Sequence, residues 1–304
     1  TNVSLDTDFG SFTTSTSFGI VEADSTSTIE SLEPLTLTTG QYVGTFTVSS
    51  DSDQVGGANF GDNTFERNFE VTSGEFSLDG IGLHPAGQEV LSSLGSNSFA
   101  GGEDGLVCAN YYPLKQAKVL NSVRTYVTST SIAGAEIILY VIDSLSFTSG
   151  AFGNAIYTSD LYSLTANDVA NGYFDISTTL LSGWDPVNNT STWENLSLSP
   201  GGYYVGVELF SGGNTYDVRI LDDFTITQPA WSSAIWFPQD ASYTNGNAFA
   251  IRMNFGANVG INENITNNVS IYPNPTSNVL NISTNSNDLS ELTIKDITGK
   301  IVLS

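Results

Sequence analysis

The hydrophobic pattern of this chain has a period of two almost wherever it has a period. In "QYVGTFTVSSD", which starts at Gln41, Tyr42, Phe46 and Val48 fall on one side, and Val43, Thr45 and Thr47 on the other. "TFERNFEVT", which starts at Thr64, opposes Phe65, Phe69 and Val71 to Glu66, Asn68 and Glu70. Such strict alternation predicts half-buried antiparallel strands. The stretch between them, "SDSDQVGGANFGDN", is dense in turn formers and carries Asp51, Asp53 and Asp62.

At Phe76 the texture changes. "EFSLDGIGLHPAGQEVLSSLGSNSFAGGEDGL" reads as a glycine-rich junction leading into a second domain. That domain then supplies "AKVLNSVRTYVTS", the nearly unbroken apolar run "AEIILYVID", "GGYYVGVELF" and "NAFAIRMNFG", the last with Phe249, Ile251, Met253 and Phe255 on one face. No segment has convincing helical amphipathicity, although "LTANDVANG" is compatible with one turn. Many short strands without helical crossovers predict a β-sandwich, specifically a jelly roll, over residues 76–256. Residues 257–268 are Asn-rich, polar and aperiodic, as expected of a linker. Beyond it, "VSIYPNP", "NVLNIS" and "ELTIKDITGKIVLS" predict a third small β-unit over 269–304, with Gly299 in the left-handed position of a hairpin turn.

Charge narrows the range of partners. Eight Lys+Arg stand against 32 Asp+Glu, a net charge of −24. Nucleic-acid binding needs a cationic footprint and anionic bilayers attract basic segments, so neither is expected. No run approaches the length that spans a bilayer. The first residue is Thr, with no charged-then-apolar leader, which reads as a mature fragment. Cys108 is the only cysteine, so no internal disulfide forms; its surroundings, "GLVCANYY", suit a buried strand residue.

Two resemblances follow from particular residues. Ile271-Tyr272-Pro273-Asn274-Pro275, then Asn281-Ile282, then Ile294-Lys295-Asp296-Ile297-Thr298-Gly299-Lys300-Ile301-Val302 resembles the C-terminal sorting domain of Bacteroidetes cargo of the type IX secretion system. The resemblance implies that Tyr272, Pro273, Asn274, Pro275, Gly299 and Lys300 belong to a sorting signal recognised by that machinery. It further implies export to the outer-membrane cell surface, with cargo then released or attached. Members of the family continue for several strands past the Gly-Lys hairpin, so the unit is expected to be incomplete. A looser resemblance, carried by "GQYVGTFTVSSDSD" and "FGDNTFERNFEVT", links roughly residues 10–75 to immunoglobulin-like, cell-adhesion-related modules, which implies a first domain over 1–75 shortened at its N-terminus, and 76–256 to the jelly rolls that follow them. The expected fold class is therefore all-β: tandem β-sandwiches, immunoglobulin-like then jelly roll, plus a partial sorting domain.

Chemistry is sparsely written. One His and one Cys leave most zinc sites short of ligands. His84, in "GLHPAG", lacks a Gly-x-Ser-x-Gly elbow and reads as a loop histidine, so catalysis within this stretch is not expected. Calcium is the more plausible ion, because hard cations take oxygen ligands from acidic loops. Its candidate ligands are Asp51, Asp53 and Asp62, Glu103 with Asp104, and Asp222 with Asp223. In "QPAWSSAIWFPQDASY" the aromatics Trp231, Trp236, Phe237 and Tyr243 cluster, and Trp184 and Trp193 lie in "GWDPVNNTSTW". These rings either plug the sandwich ends or stack on sugars. The functional expectation is an exported adhesive or structural protein contacting polysaccharide, other cells or copies of itself. A carbohydrate-binding module is one alternative, which requires the 231–243 aromatics to be exposed and coplanar. The other is the non-catalytic tail of a secreted hydrolase.

Overall fold

The computed structural model describes residues 2–8, 13–20, 22, 37–50, 63–99, 104–186, 188, 190–238, 241–256, 269–272, 281–284, 294–295 and 301–303. The fold is all-β. Its strands in chain order begin with β1 (Asn2–Asp8), β2 (Thr13–Ile20), β3 (Gly40–Ser50), β4 (Thr64–Val71), β5 (Glu75–Phe76), β6 (Leu91–Gly95) and β7 (Leu106–Leu114). There follow β8 (Lys118–Leu120), β9 (Ser122–Tyr126), β10 (Glu136–Asp143), helix α1 (Ser144–Thr148), β11 (Tyr157–Thr158), β12 (Tyr162–Ser163), helix α2 (Ala166–Asn171), β13 (Tyr173–Ser177) and β14 (Thr179–Asp185). The unit closes with β15 (Thr190–Leu198), β16 (Gly201–Phe210), β17 (Arg219–Asp223), β18 (Ser233–Trp236), β19 (Ser242–Thr244), β20 (Ala248–Phe249) and β21 (Ile251–Asn254). All of these belong to one compact unit, Thr1–Ala257; Asn258–Ser304 forms another.

The N-terminal strands pair in the order β2-β1-β3-β4. The register sets Tyr42 opposite Phe69 and Phe46 opposite Phe65. The first pair stacks at 5.6 Å and the second lies at 6.4 Å, so the alternation seen in sequence becomes cross-strand aromatic pairs.

The main sheet runs β11-β10-β16-β7-β18-β19, with β12 also on β10. Facing it are the sheets β13-β9-β21-β5, β20-β17-β6 and β14-β15-β8. Between the layers lies the core: Leu106, Cys108, Ile137, Leu139, Val205, Val207 and Leu209 from the main sheet meet Leu120, Val123, Phe174, Ile220, Phe249, Ile251 and Met253. Cys108 is fully buried there, and burial pushes its thiol pKa well above the ordinary range. Each such side chain contributes roughly 1.5–3 kcal/mol of transfer free energy.

"AEIILYVID" and "GGYYVGVELF" lack clean alternation for a visible reason. The outer face of the main sheet is covered as well, by α1 and the 3₁₀ turn Phe152–Asn154, which bury Ile142, Phe147, Tyr204 and Ala234. α1 was hidden in the sequence because it is too short for a helical period. Asp143 starts it by accepting hydrogen bonds from the amides of Leu145 and Ser146 at 3.1 and 3.0 Å. α2 is the predicted turn in "LTANDVANG", capped reciprocally by Thr165 and Asp168. The junction read as loop in fact contributes β5 and β6, which pair with β21 and β17.

In the C-terminal unit β22 (Val269–Tyr272) pairs with β23 (Asn281–Thr284), and β24 (Ile294–Lys295) with β25 (Ile301–Leu303), all antiparallel. The 257–268 linker, Pro273, Asn274, Pro275, Gly299 and Lys300 lie outside the described residues.

Candidate functional site

Strand alternation sorts the residues of the main sheet. Tyr111 on β7 and Tyr204 on β16 are directly paired and both point outward. Their rings lie 5.3 Å apart, and Phe147 from α1 stacks on Tyr204 at 4.2 Å. Phe152 continues the row, edge-on to Phe147 at 5.8 Å and to Trp236 at 4.8 Å. This aromatic row therefore crosses the sheet from β18 to β16, with α1 contributing Phe147, and is open at its Tyr204–Tyr111 end. Gly150, at φ 69, makes room for Trp236: a Cβ there would sit 2.9 Å from the indole nitrogen.

At the open end lies a groove of about 570 Å³ walled by Tyr111, Tyr204, Trp231, Leu145, Ser144 and Thr148. Its aromatic walls and hydroxyl rim have the composition of a small-ligand site. Leu145 is 76% exposed and Trp231 42% exposed, so both present apolar surface to the groove. Tyr204 is buried and its hydroxyl donates to the Trp231 carbonyl at 2.7 Å; burial, then the neighbouring Tyr111, raises its pKa. Gly202 lets the Tyr111 ring lie across β16, since a Cβ there would collide with the Tyr111 hydroxyl.

Trp231 occupies a backbone position made for another residue. Ser232 donates its amide to the Pro229 carbonyl at 3.1 Å, closing a turn in which Trp231 has φ 67. A type II turn gives that position to Gly or Asn. The Trp231 amide is held at 3.0 Å by Thr244 Oγ1. The arrangement costs about 1–2 kcal/mol relative to a relaxed backbone, and it aims a half-exposed indole into the groove.

The aromatics grouped in the sequence do not form one platform. Trp236 packs against Phe152 in the outer-face row, and Tyr243 stands edge-on to Phe237 at 81°. A coplanar 231–243 surface is thus absent, because strand alternation and the Trp231 turn send the rings to different places. Only Trp231 joins the groove, with Tyr111 and Tyr204, which the sequence reading did not select.

A second concavity, about 200 Å³, lies where β4 meets the junction after β5 and is lined by charges. Arg252 grips Asp79 bidentately at 2.6 and 3.0 Å and reaches Glu75 at 3.1 Å. His84, with only 4% of its side chain exposed, bonds Asp223 through Nε2 at 2.7 Å. Burial alone would raise the Asp223 pKa, but hydrogen bonds from His84, Thr225 and the Gly80 amide hold it below the ordinary value. These charges are spent on one another, which makes this a structural knot. His84 is a loop residue, as expected, but a buried one, hydrogen-bonded to an aspartate 139 positions away.

The predicted metal ligands scatter. Asp51, Asp53, Asp62 and Glu103 lie outside the described residues. Asp104 accepts from the amides of Ser211 and Gly213 at 2.6 and 2.9 Å, bracing a loop. Asp222 and Asp223 are sequence neighbours with separate partners: Asp222 takes both Asn245 Nδ2 contacts, at 3.1 and 3.0 Å. Burial, only partly offset by Asn245, raises the Asp222 pKa to about 6. Among the described residues no three His, Cys, Asp or Glu side chains gather to hold a metal ion.

No curated protein matches this chain. Among solved structures, the cysteine protease and lectin-like domains of a surface layer associated protein of Clostridium difficile align with a TM-score of 0.33 and 14% identity, over 56% of this chain and 36% of that one. Among the described residues no helix is long and apolar enough to cross a membrane. At the C-terminus residues 270–304, which hold all of the two antiparallel strand pairs except Val269, match the family described as secretion system C-terminal sorting domain. The chain is therefore a secreted, cell-surface protein whose C-terminal segment is a sorting domain addressed to the type IX secretion machinery.

Proposed function

We propose that the exported chain is an adhesive, non-catalytic surface protein that binds carbohydrate in the groove of Tyr111, Tyr204 and Trp231. In this reading residues 1–75 serve as an immunoglobulin-like spacer and 76–256 as the jelly-roll binding module. One observation carries it: a tryptophan kept at φ 67 with its ring 42% exposed. Strain of this kind persists where the surroundings over-determine it, typically at ligand clamps. An indole face suits the C–H face of a pyranose, and the hydroxyls of Tyr111, Ser144 and Thr148 suit its hydroxyls.

The test is a glycan array with the full chain, followed by titration of the hits against Tyr111→Ala. Loss of binding by about tenfold or more, with an unchanged far-UV spectrum, is expected for a central aromatic contact. Retention of full affinity by a folded Tyr111→Ala protein refutes the assignment.

A further inference from the structure

A different aromatic stands exposed on the other side of the sandwich. The β14–β15 hairpin leaves Trp193 60% exposed, and Trp193 is registered opposite Leu181, at the irregularity between Leu181 and Gly183. Bulges of this kind re-aim side chains. Trp193 forms one wall of an open cleft of about 470 Å³, whose other walls include Asp160, Asp175, Ser159, Thr179 and Tyr162.

The charges in this cleft are unequal. Asp175 is neutralised by Arg124, which binds it through Nε and Nη2 at 3.0 and 2.8 Å while lying over the Tyr173 ring. Asp160 is exposed and forms no ion pair among the described residues. Tyr162 is committed, its hydroxyl donating to Asp168 at 2.8 Å. Ser159 is committed too, its Oγ accepting from the Leu139 amide at 2.9 Å and donating to the Asp160 carbonyl at 2.8 Å. The cleft therefore presents one bare indole face, one uncompensated carboxylate and the weakly linked hydroxyls of Ser177 and Thr179, 3.4 Å apart. An indole takes a C–H-rich ring or a cation, and a carboxylate accepts from hydroxyl or ammonium groups and repels anions.

We propose that this cleft is a second saccharide site, independent of the outer-face groove, which takes neutral and free-amine pyranoses and rejects uronic acids. Trp193 is the stacking platform and Asp160 the group that selects the ammonium. It extends the carbohydrate-binding reading above but does not need the groove to be correct, since the two sites share no residue.

The experiment is calorimetric titration of the full chain with glucosamine oligomers, cello-oligosaccharides and oligogalacturonate. Trp193→Ala should weaken the first two by about tenfold or more, whereas Trp184→Ala, on the same hairpin but outside the cleft, should leave both unchanged. Asp160→Asn should erase the preference for glucosamine over glucose oligomers. If Trp231→Ala abolishes all binding and Trp193→Ala none, the cleft proposal fails and the groove stands; the reverse result removes the groove and keeps the cleft. Oligogalacturonate bound as tightly as glucosamine oligomers, or equal losses in Trp184→Ala and Trp193→Ala, overturns the proposal.

Discussion

Replacing Trp231 by both alanine and glycine separates the backbone from the side chain. Each variant loses the indole, more than half of which is packed, so each should fall below the native protein by on the order of 2–3 kcal/mol at ~25 cal/mol per Å². That loss cancels when the two variants are compared. At φ 67 an alanine retains the Cβ–carbonyl conflict, worth about 1–2 kcal/mol, and glycine does not. Glycine gives back roughly 0.4–1 kcal/mol through its freer unfolded chain. The net expectation is that Trp231→Gly is more stable than Trp231→Ala by about 0.5–1 kcal/mol, or roughly 1–4 °C in melting temperature for a unit of this size. At an ordinary extended position the order is the opposite. Paired urea titrations measure the difference directly, and glycan titration of the same samples should show both variants equally impaired. An alanine variant as stable as the glycine one would refute the strained-turn reasoning, whatever happened to binding.

Three further outcomes follow from the same geometry. Gly202→Ala drives the Tyr111 ring off β16, so it should weaken glycan binding about tenfold while shifting the urea midpoint little; a crystal structure with Tyr111 unmoved would contradict it. Asp222 has its folded pKa raised to about 6, above an unfolded value near 3.8, so its charge penalises folding above about pH 6 and the penalty, on the order of 3 kcal/mol, is relieved as pH falls towards 4. Asp223, with its pKa lowered, acts the other way below that window, where protonation removes its contribution, so stability–pH curves should flatten between pH 4 and 6 in Asp222→Asn. Arg252→Ala leaves the fully buried Asp79 carboxylate unpaired and should cost about 3–5 kcal/mol, while Arg252→Lys, lacking the two-pronged grip, falls between; equal stability of the Lys variant and native protein argues against the fork.

What the sequence made legible was the part of the fold that alternates cleanly. The aromatic pairs of β3 and β4 can be read from the text, although Phe65 and Val48 stay exposed on that face. β10 and β16 lose alternation because α1 covers their second face, so the apolar run announced burial without naming the cover. The groove was half legible. Trp231 stood out as a loop tryptophan, but Tyr111 and Tyr204 looked like ordinary strand residues, since their register requires pairing β7 with a strand about ninety positions on. His84 with Asp223 and Arg252 with Asp79 are farther apart still, by 139 and 173 positions, and nothing local in "GLHPAG" or "AFAIRM" signals an acid partner. The acidic turns pointed to calcium for a compositional reason only. Asp104 shows the alternative, a carboxylate consumed by backbone amides of a neighbouring loop.

The short pairing of β5 with β21 sets how this molecule carries tension. Glu75 lies opposite Asn254 and Phe76 opposite Met253, so the chain enters and leaves the sandwich at one corner. The Phe255 amide bonds the Gly74 carbonyl there, and Lys118 sits over both Phe76 and Phe255. A pull along the chain, as between an anchored C-terminus and a loaded N-terminal sheet, opens that corner from its free end, one hydrogen bond after another. Immediately behind it stands the grip of Arg252 on Glu75 and Asp79. The main sheet and α1, which wall the groove of Tyr111, Tyr204 and Trp231, lie off this load path, so a strained tether would yield first at its clasp and leave that groove intact.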